Sequence, residues 1–85
     1  MIRRKEVIVR AMDSMLGSAQ LEAQPGITFK KFLIELEFLR EYPKEGEAGK
    51  FSPGQVKYIK TVLNSNFRVR DIDGQKYYVG QGLMI

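Results

Sequence analysis

The tetrapeptide Ser52-Pro53-Gly54-Gln55 constrains the fold of this chain more than any other stretch, because independent helix-start signals coincide there. Ser52 supplies an N-cap oxygen, and Pro53 suits the first helical turn, where an N–H would have no partner in any case. Gln55, three residues after Ser52, completes a capping box, and Phe51 and Val56 occupy the two positions of a hydrophobic staple. The helix so begun buries Val56, Ile59, Val62 and Leu63. It is expected to run to about Leu63, with Asn64-Ser65-Asn66 fraying its end.

A hairpin must follow almost at once. Asp73-Gly74 is the preferred central pair of a two-residue type I′ turn, and it lies between two alternating runs, Phe67–Ile72 and Gln75–Gly80. Counting outward pairs Ile72 with Gln75, Asp71 with Lys76, Arg70 with Tyr77, Val69 with Tyr78 and Arg68 with Val79. One face then holds Phe67, Val69 and Tyr78 as core, with an Asp71–Lys76 charge pair near the tip. The other face presents Arg68, Arg70 and Tyr77.

Upstream, Ile8, Met12, Met15 and Leu16 recur at helical spacing from about Arg4 to Leu16, and Gly17 falls where a C-cap glycine would. Val7-Ile8-Val9 alone also reads as a strand. Residues 18–26 form a connector, with a short strand expected around Leu21 and Ala23. Thr28 can cap a helix over residues 29–42 that Pro43 ends. On that helix Phe29, Phe32, Leu33, Leu36 and Leu39 share one arc, the core face. Ile34, Phe38 and Tyr42 share a second, which is either buried under the first helix or a candidate interface for a symmetric dimer. A polar loop joins residues 43 and 51.

The 85 residues make a single domain, 1–85, with neither cysteine nor histidine. The lack of both removes disulfides, the usual zinc sites and cysteine or histidine catalysis. The acids are scattered among lysines, so no catalytic residue, metal site or cofactor is expected, and an enzyme is the last choice. No apolar run approaches the roughly 20 residues that span a bilayer, and Arg10 interrupts the basic N-terminal segment after Val7-Ile8-Val9, unlike a secretory signal. The chain reads as intracellular, with no membrane partner.

The net charge of +4 is unevenly placed. Residues 51–85 carry Lys57, Lys60, Arg68, Arg70 and Lys76 against only Asp71 and Asp73, whereas Glu35, Glu37, Glu41, Glu45 and Glu47 cluster in the middle of the chain. A cationic face of this kind favours polyanions.

The order of elements, three helices and then a hairpin, resembles that of the winged-helix superfamily, with residues 52–65 as third helix and 67–80 as wing. The resemblance is one of element pattern and spans most of the chain. It implies a small α+β domain whose third helix enters the major groove of duplex DNA while the wing meets the backbone. Carried over, Lys57, Tyr58, Thr61 and Asn64 face the groove with Lys60 on the flank, and Arg68, Arg70, Lys76 and Tyr77 serve the wing. A transcriptional regulator or accessory DNA-binding factor is then expected. The alternative is a protein-interaction module, an adapter or inhibitor, using the same fold without nucleic acid, with the basic face as ordinary solvated charge or a protein contact.

Overall fold

A computed structural model describes residues 3–81. Helix α1 spans Arg4–Leu21, α2 Phe29–Leu36 and α3 Pro53–Asn66, and strands β1, Phe67–Ile72, and β2, Gln75–Gln81, close an antiparallel hairpin. The chain is thus a small α+β domain of three helices followed by a two-stranded sheet. No helix among the described residues is long and apolar enough to cross a membrane.

The start of α3 is the one its sequence demands. Ser52 Oγ accepts from the Gln55 N–H at 3.2 Å, and Gln55 Oε1 accepts from the Ser52 N–H at 3.0 Å. The far end extends to Asn66 rather than fraying after Leu63. Ser65 Oγ donates to the Thr61 carbonyl and Asn66 Nδ2 to the Val62 carbonyl. Each is a bond from a side chain to the carbonyl four residues back, which satisfies the polar group while its residue stays helical.

Helix α1 passes through Gly17 and ends four residues later. Gly17 is exposed and would meet no neighbour with a Cβ, so nothing breaks the helix there. The terminus is a Schellman motif: Gln24 N–H bonds to the Ala19 carbonyl and Ala23 N–H to the Gln20 carbonyl, with Ala23 in the left-handed region at φ 59°. Val7, Ile8 and Met12 are buried as helix, not strand. Leu21 is helical and 91% exposed, so the expected strand contact moves to Ile27, which exchanges two backbone hydrogen bonds with Tyr78. Gly26 allows that approach, since a Cβ there would fall 2.4 Å from the Tyr78 carbonyl oxygen.

Helix α2 starts at the Thr28 cap, whose Oγ1 accepts from the Lys31 N–H, but it stops at Leu36 instead of reaching Tyr42. Beyond it Phe38, Leu39 and Tyr42 make N–H bonds to carbonyls three residues back. This tighter winding changes the angular position of each later residue. The arc expected for Ile34, Phe38 and Tyr42 is thereby broken. Tyr42 is 1% exposed and meets Phe51 edge-to-face at 5.6 Å, while Ile34 and Phe38 are 47% and 79% exposed. Tyr42 is core and no part of an interface.

The core joins Val7, Ile8 and Met12 of α1, Phe32 and Leu36 of α2, and Ile59, Val62 and Leu63 of α3 with Ile27, Tyr42, Phe51, Phe67 and Tyr78. Gln55, also buried, holds the intervening loop: its Oε1 accepts from the Glu45 N–H as well, and its Nε2 donates to the Pro43 carbonyl. In the hairpin, Asp73 and Gly74 have φ of 53° and 84°, as a type I′ turn requires. The register from Ile72–Gln75 to Val69–Tyr78 is as counted, but Arg68 pairs with Gly80, not Val79. Val79 is the extra residue of a bulge, a device that adds twist to the strands.

Candidate nucleic-acid interface

Packing of Ile59, Val62 and Leu63 into the core turns the opposite side of α3 outward. Lys57, Thr61 and Asn64 form a stripe at helical spacing there, with Tyr58 43% exposed beside it and Lys60 on the flank. Because Phe67 follows Asn66 without a linker, strand β1 leaves directly from the end of this stripe.

The junction of helix and hairpin encloses a cleft of about 420 Å³ lined by Phe29, Lys60, Asn64, Val69, Lys76 and Tyr78. Lys60 Nζ lies 5.2 Å from the centroid of the Phe29 ring, a cation–π contact that holds the ammonium at one wall. Tyr78 donates its hydroxyl hydrogen to Asn64 Oδ1 at 2.6 Å. That bond fixes the Asn64 amide, occupies its acceptor and leaves the NH₂ group as donor. Burial raises the Tyr78 pKa, so its hydroxyl keeps its proton at neutral pH. Two cations, an amide donor and two aromatic rings thus converge on one opening, a combination that holds an anion beside a flat or apolar group.

Arg68 and Arg70 lie on the hairpin's other side, where they border a second depression with Pro25, Val69 and Val79. Asp71 and Asp73 at the hairpin tip are the nearest acids in sequence, and Asp71 Oδ1 accepts from the Gly74 N–H, so it serves the turn. Glu35, Glu37, Glu41, Glu45 and Glu47 lie elsewhere, on α2 and the chain that follows it, where Glu45 pairs with Arg4 at 2.6 Å.

The sequence-derived residues therefore fall into three groups. Lys60, Asn64 and Lys76 line the cleft, Arg68 and Arg70 border the second depression, and Lys57, Tyr58 and Thr61 lie outward on α3. Tyr77 is half-buried and packs close to Gly26, so it is less open than an outward strand position implies. Val69, assigned to the core by alternation, is 46% exposed at the cleft wall. Phe29 joins the cleft unforeseen: its place on the α2 core arc gave no sign of Lys60, which approaches it only through tertiary packing. Among the described residues no group of three or more acids, cysteines or histidines is placed to hold a metal ion. Comparisons with protein-family models, curated proteins and solved structures return no match.

Proposed function

We propose that this chain is a winged-helix-like DNA-binding protein, a regulator or accessory factor that meets duplex DNA through the exposed face of α3 and the hairpin. The observation that carries the reading is that α3 and the hairpin between them carry five cations, Lys57 and Lys60 on α3, Lys76 at the cleft, and Arg68 and Arg70 on the hairpin's other side, with Glu35, Glu37, Glu41, Glu45 and Glu47 on other elements. Cations on both elements attract a phosphate backbone. Lys57, Thr61 and the Asn64 amide would meet base edges, and the hairpin cations would meet phosphates. Neither catalysis nor a cofactor enters this reading. An intracellular setting goes with DNA as the partner. A protein-docking role is the second reading, favoured by the exposed Val69 and Tyr58 among the lysines.

Gel shift with random duplex at several salt concentrations tests it. Each phosphate contact contributes about 0.9 to the slope of log affinity against log salt, so Arg70→Ala with Lys76→Ala should flatten the slope by roughly two units on all duplexes alike. Lys57→Ala should instead change preference among sequences. A wild-type chain without salt-dependent affinity for any duplex sinks the DNA reading and leaves protein docking.

A further inference from the structure

We infer that the apolar groove between α1 and α2 is a self-docking surface, filled by Phe38 of a second copy of this chain. The groove measures about 360 Å³, and Val7, Ala11, Met15, Leu36 and Leu39 form its apolar lining. Phe38, next in sequence to the lining residue Leu39, is 79% exposed, so a large ring stands in water on the segment that forms one wall of the groove. A Phe side chain buries about 150–250 Å² when covered, enough to make it the anchor of a small contact.

Charge selects the occupant. The groove is bordered by Arg10 on the α1 side and by Glu35 and Glu41 on the α2 side, and none of the three makes an ion pair among the described residues. A two-fold contact needs a surface that carries both halves of each interaction. This surface does so twice, with an exposed ring on the segment that walls the groove and a cation opposite carboxylates. A uniformly acidic or basic partner would match one wall and oppose the other, whereas a second copy brings Arg10 to the glutamates and its own glutamates to Arg10. The groove shares no lining residue with the α3–hairpin cleft or with the depression beside Arg68 and Arg70, so pairing here does not compete for those residues. Self-docking therefore rests on none of the residues assigned to DNA.

Sedimentation equilibrium of the full chain at low salt is expected to show monomer and dimer exchanging with a Kd on the order of 10–100 µM, as suits an interface at the small end of the range. Phe38→Asp should weaken the dimer at least about tenfold with circular dichroism unchanged, because the side chain is already exposed. Arg10→Glu should weaken it roughly threefold or more, and its combination with Glu35→Arg and Glu41→Arg should return it to within about threefold of wild type. A wild-type chain that stays monomeric to about 1 mM overturns the inference, being far weaker than the expected range. So does Phe38→Asp pairing as tightly as wild type, or a folded triple variant that fails to recover.

Discussion

Helices α2 and α3 both begin at a hydroxyl N-cap, yet α3 continues for 14 residues and α2 for 8. Propensity does not separate them, since Phe29–Tyr42 is the more apolar segment and holds no glycine or proline, whereas α3 carries Pro53 and Gly54 in its first turn. Their ends do. At the start of α3, Gln55 bonds to three backbone groups of the preceding chain. Ser65 and Asn66 bond back to carbonyls of their own helix, and Phe67 passes straight into β1. The end of α2 is met instead from outside, by Lys44, whose ammonium donates to the Glu37 carbonyl and so closes the shortened helix. The segment between yields to Tyr42, which reaches the core only if the helix tightens and turns after Leu36. Helix length is set by end chemistry and by what must be buried next.

The sharpest test of that contrast lies in the segment after α2. Tyr42→Ala should cost about 3–5 kcal/mol in denaturant unfolding, the range for deleting a large buried ring. Phe38→Ala, four residues earlier, should stay within about 0.5 kcal/mol in the monomer. Equal costs at the two positions would restore a continuous helix with a shared apolar stripe, and burial of Tyr42 would not be what stops α2.

A second test weighs the two helix starts. Gln55→Ala removes one side chain and leaves the Glu45 and Ser52 N–H groups and the Pro43 carbonyl without it, at an expected cost of about 2–3 kcal/mol. Ser52→Ala and Thr28→Ala should each cost on the order of 1 kcal/mol, as ordinary N-cap losses do. If Gln55→Ala falls to the level of the two caps, the loop does not depend on it, and α3 is anchored no more firmly than α2.

These contrasts also mark what the sequence made legible. The α3 start, the Thr28 cap and the Asp73-Gly74 turn were readable because each is decided by residues within a few positions of one another. The α1 terminus was not, because Gly17 offers a conformation that the chain has no need to use, whereas Ala23 takes a left-handed φ without the sequence mark of glycine. The bulge at Val79 was hidden for a different reason: alternation counts residues and cannot register an extra one. For the candidate interface, the residue types on α3 and the hairpin were visible. Their grouping was not, because Phe29 meets Lys60 and Tyr78 meets Asn64 across long stretches of chain.

The smallest expected effect separates two buried tyrosines, one in each region. Tyr78 has a partner for its hydroxyl, Asn64 Oδ1 at 2.6 Å, whereas the Tyr42 hydroxyl is buried with none among the described residues. Tyr78→Phe should therefore cost about 1 kcal/mol, while Tyr42→Phe should be neutral or stabilise by up to about 1 kcal/mol. Burial raises both pKa values, and at Tyr42 the Arg4 guanidinium opposes the rise while Tyr58 and Glu45 add to it. A phenol whose pKa is higher in the folded state gives its full stabilisation below the unfolded value, near 10, and loses it as pH rises through the folded value. Thermal melts should therefore fall in Tm above about pH 10, and less steeply in either Phe variant than in wild type. Since lysines titrate in the same range, the difference between each variant and wild type is the quantity to compare. An alkaline decline equally steep in all three proteins would mean that neither hydroxyl resists ionisation. Burial would then not be what holds either phenol in its protonated form.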